Sequence, residues 1–130
     1  MNPNLVSFLA LLSCVCGVAL GAETQERYVR IAELEIDPPR VDAFAAAARE
    51  VGHASVRAED GRLVLYAVAE RSAPGRVRVF EIYRDSGAYQ AHLQTRHFKK
   101  FRATTDAMVK SRTLIDATPL SLATKPGVMP

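Results

Sequence analysis

At 130 residues, the chain has the length of a single domain. Its 17 Lys and Arg against 14 Asp and Glu leave a net charge of +3, dispersed and interleaved with acids. The longest basic cluster, Lys99-Lys100-Phe101-Arg102, reads as a solvated helix face without a nucleic-acid-binding signature, so no nucleic-acid partner is expected. Both cysteines, Cys14 and Cys16, fall in the N-terminal segment, which leaves the rest without a disulfide, a thiol nucleophile or Cys-ligated zinc.

Residues 1–22 differ in kind from the rest of the chain. Leu5 to Leu20 carries no charged side chain, matches a secretory h-region in length and is short for a membrane span of about 20 residues. Small residues occupy Ala19, Gly21 and Ala22, and charge begins at Glu23. The segment is expected to be a signal peptide cleaved near Ala22, although its n-region, Met1-Asn2-Pro3-Asn4, brings no Lys or Arg. The product would be periplasmic or secreted, with no stable membrane span after processing. Leu11-Leu12-Ser13-Cys14 resembles a lipoprotein processing site and keeps lipidation through Cys14 as the competing reading, with an uncleaved anchor as the third. A mature chain of about 108 residues without disulfides must rely on its core or on oligomerisation.

Residues 28–36 alternate as a strand, with Tyr28, Arg30, Ala32, Leu34 and Ile36 on one face. Asp37-Pro38-Pro39 stops it and opens a helix, Asp37 as N-cap and Pro38 at the first helical position. Val41, Phe44, Ala48, Val51 and Ser55 recur at helical spacing, which predicts a helix over residues 38–56, weakened near Gly52. Asp60-Gly61 is a turn. Residues 63–69 form a strand apolar on both faces, residues 70–76 a hairpin loop around Pro74-Gly75, and residues 77–83 the next strand. That strand places Val79, Glu81 and Tyr83 on one face, with Phe80 and Ile82 on the other. Asp85 caps a short helix ending near Leu93, and Thr95 caps a second with Phe98, Phe101, Thr105 and Met108 on its inner stripe. Residues 113–120 are the last strand, and residues 123–130, with Pro126 and Gly127, a flexible tail.

The order β-α-β-β-α-β is the ferredoxin-like α+β arrangement, an antiparallel sheet with helices on one face. The doubly apolar strand at residues 63–69 needs cover on its second face, and no predicted element is left to supply it. A second copy of the sheet is the simplest cover, which predicts a homodimer.

The run at residues 81–101, Glu81-Ile82-Tyr83-Arg84-Asp85 through Ala88-Tyr89-Gln90-Ala91-His92-Leu93 to His97-Phe98, carries more information than the rest. It closely resembles the antibiotic-biosynthesis monooxygenase family, in particular its small quinol-monooxygenase-like branch. There an E-x-Y-x-D…A-Y-x-A-H-L-x-T-x-H-F stretch joins a strand to a helix pair. The resemblance covers residues 28–122, within a domain set at residues 23–122. It implies two sheets packed as a dimeric α/β barrel, with no metal, flavin or haem as prosthetic group. It also implies an electron-rich aromatic, such as a quinol or polyphenol, oxygenated directly by O2. Where the family pattern has Pro before His97, this chain has Arg96.

The chemistry then asks for an aromatic pocket, a proton acceptor and exclusion of water. His92 is the candidate base, because imidazole titrates near neutrality; a core histidine satisfied by the protein is the competing reading. Glu81, an acid in an apolar strand, needs a partner. It either orients His92 or meets a substrate hydroxyl, or it forms a cross-strand pair with Arg30 or Arg78. Candidate substrate-binding residues are Tyr83, Tyr66, His97, Phe98 and Phe101, all of which also suit ordinary core or helix-start positions. His53 is expected to be solvated. No metal site is expected, since His92 and His97 are five apart across a helix break, whereas ligands on one helix face lie three or four apart. Three other readings compete with the oxygenase: a non-catalytic dimeric module for a small hydrophobe, an isomerase, and haem degradation. The relatives that degrade haem use a pocket Trp, and this chain has no Trp.

Overall fold

A computed structural model describes residues 26–127. The expected signal peptide, its cleavage near Ala22 and Cys14 therefore lie outside the described residues, as do the last three residues of the tail. Among the described residues, no helix is long and apolar enough to cross a membrane.

Strand β1 (Tyr28–Ile36) leads through a 3-10 turn (Pro38–Arg40) into α1 (Val41–Ala58). A hairpin of β2 (Arg62–Glu70) and β3 (Ala73–Tyr83) comes next, then α2 (Ser86–Gln94), α3 (Arg96–Thr105), a 3-10 turn (Asp106–Met108) and β4 (Val109–Ala117). The strands form one antiparallel sheet in the order β2-β3-β1-β4, the expected ferredoxin-like topology. The sheet of the single chain is open, with β2 and β4 as edges, rather than a closed barrel.

Local chemistry accounts for most boundaries. Asp85 accepts a bond from the Ala88 amide at 2.7 Å, and Thr95 accepts one from the Phe98 amide at 3.3 Å, so both expected caps hold. The Thr95 hydroxyl also donates to the His92 carbonyl at 2.7 Å, which fixes the corner between α2 and α3. Asp37 makes no side-chain cap. Its amide instead donates to the Met108 carbonyl at 2.8 Å, and the helix proper begins after Pro38-Pro39, at Val41.

Gly52 does not weaken α1. A Cβ there would lie 3.2 Å from Leu65 Cδ2, so the glycine lets the helix approach β2, and the helix continues to Ala58. The hairpin is tighter than expected: Arg71-Ser72 makes the turn, and Pro74-Gly75 lies within β3. The last strand starts at Val109 rather than near Thr113 and ends at Ala117.

The helices cover one face of the sheet. There Ala32, Leu34, Ile36 and Val77 pack against Phe44 of α1, with Phe101 of α3 beside them. Burying side chains of this size contributes about 1.5–3 kcal/mol each. On the other face Val29, Val64 and Ile82 form a second cluster with Phe80. Val29, Val64 and Ile82 are buried within the single chain, whereas Tyr66, Val68 and Ile115 on the same face remain 44 %, 63 % and 38 % exposed.

Candidate active site

A cavity of about 120 Å³ lies between the sheet and the helices. Phe44, Phe98, Phe101 and Leu65 supply apolar walls, and Tyr89 lines it from α2. Arg62, Glu81 and His92 bring polar groups to the same space.

These three belong to one buried chain of contacts. Arg62 Nη2 donates to Glu81 Oε1 at 2.5 Å. Arg62 Nη1 lies 2.6 Å from His92 Nε2 and 2.9 Å from Nδ1. His92 Nδ1 in turn lies 2.9 Å from Glu59 Oε1 and 3.0 Å from Oε2. A guanidinium can only donate and a carboxylate can only accept. The proton of neutral His92 is therefore assigned to Nδ1, facing Glu59, while Nε2 accepts from Arg62. His97 Nε2 makes a short contact with the same Glu59 oxygen. Glu59 thus joins both histidines from the C-terminal end of α1.

The electrostatics stem from burial and from Arg62. His92 is 2 % exposed. Burial first, and then the adjacent guanidinium, lower its pKa to about 4, so the ring is neutral at neutral pH. Burial raises the Glu81 carboxyl above the ordinary carboxylate value, against the pull of Arg62 and Arg30. The cavity wall thus presents a carboxylate whose proton affinity burial has raised. His92, occupied on both nitrogens, holds Arg62 in place.

The sequence-predicted residues divide accordingly. Glu81, His92, Phe98 and Phe101 converge on the cavity. Tyr83 lies on the same sheet face but is fully buried behind it, its ring 5.3 Å from Tyr89 and 5.7 Å from His92. Burial pushes its phenol pKa up. Tyr66 points to the opposite face of the sheet, opposite Phe80. His97 borders a separate crevice between α1 and α3. The partner of Glu81 is neither Arg30 nor Arg78. Arg78 pairs with Glu33 and Glu70, and Arg30 bonds Tyr28 and Asp116.

Sequence reasoning missed Arg62 and Glu59. It also set His92 and His97 apart, whereas Glu59, His92 and His97 offer three ligand atoms within 4.8 Å of one another. Arg62 weighs against a resident cation there, because a second positive charge would sit beside a buried guanidinium already 2.6 Å from the ring. One device built the site: a register shift between Arg62 and Val64 turns Arg62 to the cavity side with Leu65 and Ala67. Gly61, just before it, lets α2 approach this turn, since a Cβ there would fall 2.4 Å from Ala88 Cβ.

The family model for antibiotic biosynthesis monooxygenase matches residues 27–104. Among solved structures, a proposed antibiotic biosynthesis monooxygenase from Bacteroides thetaiotaomicron is 44 % identical, with 78 % of this chain and 97 % of that one covered at a TM-score of 0.74. A similarly named protein from Nitrosomonas europaea is 24 % identical over 74 % of this chain and 92 % of its own, TM-score 0.70. Another from Caulobacter crescentus is 21 % identical over 75 % and 93 %, TM-score 0.68. The last two show likeness of fold. No curated protein matches the chain.

Proposed function

Since the chain belongs to the antibiotic biosynthesis monooxygenase family, we propose that it is an exported, cofactor-independent monooxygenase that oxidises a quinol-like or polyphenolic aromatic with O2, working as a homodimer. The observation that carries this reading is Glu81: a partly desolvated carboxylate held by Arg62 on the wall of a cavity whose other walls are largely apolar and aromatic beside its arginines.

A hydroquinone in the cavity gives a phenolic proton to Glu81. The electron-rich anion passes an electron to O2, and the resulting pair couples at a ring carbon. The hydroperoxide then loses water. One oxygen atom stays in the hydroxyquinone product, the other leaves as water, and the substrate supplies all four electrons. Glu81 is the catalytic residue in this scheme. Arg62 and His92 position it, and Glu59 fixes the His92 tautomer.

The homodimer belongs to the same proposal. Tyr66, Val68 and Ile115 on the bare sheet face suit a second copy better than water. Oxygen uptake with a panel of hydroquinones tests the reaction, with label from O2 expected in the product. Glu81→Gln should lower turnover by ~10²- to 10⁴-fold while the protein stays folded. Tight binding of the aromatic with no oxygen consumed by the wild type would instead establish a non-catalytic binding module.

A further inference from the structure

We propose that the cavity selects an aromatic acid, with the ring between Phe98 and Phe101 and an ionised carboxylate at Arg102 and Arg112. The inference rests on the aromatic-substrate reading above and narrows it. Four arginines line the cavity, Arg30, Arg62, Arg102 and Arg112, against the single acid Glu81.

The two ends of the cavity differ. At the buried end, Arg62 and Glu81 answer each other, at 2.5 Å. Beside edge strand β4, where Leu114 is 46 % exposed, the charges do not balance in the same way. Arg102 Nε and Arg112 Nη2 both reach the same oxygen, Asp106 Oδ1, at 2.7 and 3.0 Å. One carboxylate therefore serves two guanidiniums, and it is itself half exposed. Neither the Nη atoms of Arg102 nor Nη1 of Arg112 has a hydrogen-bond partner among the described residues. Exposed ion pairs of this kind are weak and are readily exchanged for a better anion.

A guanidinium presents a planar fork that matches a carboxylate, and Arg102 also lies over the Phe98 ring, its Cζ 6.0 Å from the centroid. A ring stacked beside Phe98 therefore carries its carboxylate towards the unsatisfied nitrogens. The size agrees: the cavity, about 120 Å³, approaches the ~150 Å³ known to hold one benzene ring.

The test is a binding titration without oxygen, so that neither probe is oxidised. The matched probes are hydroquinone and 2,5-dihydroxybenzoate, which differ by one carboxylate. The acid should bind ~10-fold tighter or better at low salt. Arg102→Gln and Arg112→Gln should each reduce that ratio at least ~3-fold, and the double variant should bring it near unity. Arg96→Gln, an exposed arginine off the cavity, should leave the ratio intact. Equal affinities in the wild type, no binding of either probe, or a ratio indifferent to both cavity variants overturns the proposal. Oxygen uptake in air separates it from the broader reading. Acid binding without uptake would sink the oxygenase and leave this inference standing; turnover of hydroquinone without preference for the acid would do the reverse.

Discussion

Replacing Arg62 by Met is the sharpest perturbation the site offers. Met keeps much of the apolar stem and removes the charge. The Arg62 side chain is 2 % exposed and donates to Glu81 at 2.5 Å, so the change leaves a desolvated carboxylate without the cation that answers it. Breaking a buried pair in this way costs about 3–5 kcal/mol. That is a large share of the ~5–15 kcal/mol that holds a domain of this size, and it corresponds to a fall in Tm of roughly 15–30 °C. The assay is urea unfolding of wild type, Arg62→Met, Glu81→Gln and the double variant, each at pH 5 and pH 8. In Arg62→Met the folded pKa of Glu81 rises further above its unfolded value. A raised carboxyl pKa gives stability that is lost as pH rises through it, so the deficit should grow from pH 5 to pH 8. The double variant should lose less than the sum of the singles, by about 1–3 kcal/mol, because Gln at position 81 no longer needs the cation. A deficit below about 1 kcal/mol that is the same at both pH values would refute the claim that this pair is buried and coupled.

His92, lowered to about 4, contributes stability that is complete above its unfolded value of 6.5 and is lost as pH falls from there towards 4. Glu81 acts in the opposite sense, so the measurement is the difference between wild type and His92→Asn from pH 7 to pH 4.5, and a constant difference contradicts the burial of a neutral ring. Val68→Glu, at a position 63 % exposed in the single chain, should convert a dimer to a folded monomer by light scattering at micromolar protein; an intact dimer would remove this face from the interface. Because Arg62 already lies against His92, excess zinc or EDTA should leave Tm unchanged, and a metal-dependent rise would reassign Glu59, His92 and His97 as ligands. N-terminal sequencing of exported protein should begin near Glu23, and an intact Met1 or a lipid on Cys14 would exclude cleavage there.

The fold was legible where a single physical signal dominated. Tyr28–Ile36 alternates cleanly and forms β1 with the expected ends, and Asp85 and Thr95 cap the helices assigned to them. The misplaced boundaries fall where two signals competed. Pro74-Gly75 suggests a loop, yet a proline is tolerated near the start of a strand, and the turn falls to Arg71-Ser72. β4 begins with Val109-Lys110-Ser111-Arg112, which shows little apolar alternation because an edge strand buries little of either face.

The site was less legible, and Arg62 shows why. Strict alternation from Val64 and Tyr66 puts Arg62 on the bare face with them, where an arginine beside a turn means nothing. The register shift between Arg62 and Val64 reverses that assignment and moves the side chain across the sheet. No periodicity argument locates such a shift in advance, because it is defined by the partner strand: Arg62 pairs with Tyr83, while Val64 pairs with Ile82. Once Arg62 is on the cavity side, the neighbouring contacts are determined. It meets Glu81, the acid that an apolar strand could not leave unpaired. It also fills Nε2 of His92, so in the proposed scheme the histidine that resembles a catalytic base supports the carboxylate beside it. The motif at residues 81–101 supplies Glu81, His92, Phe98 and Phe101, which line one cavity. In the proposed scheme the division of labour among them is set by Arg62, a residue outside the motif, turned inward by one extra residue in a strand.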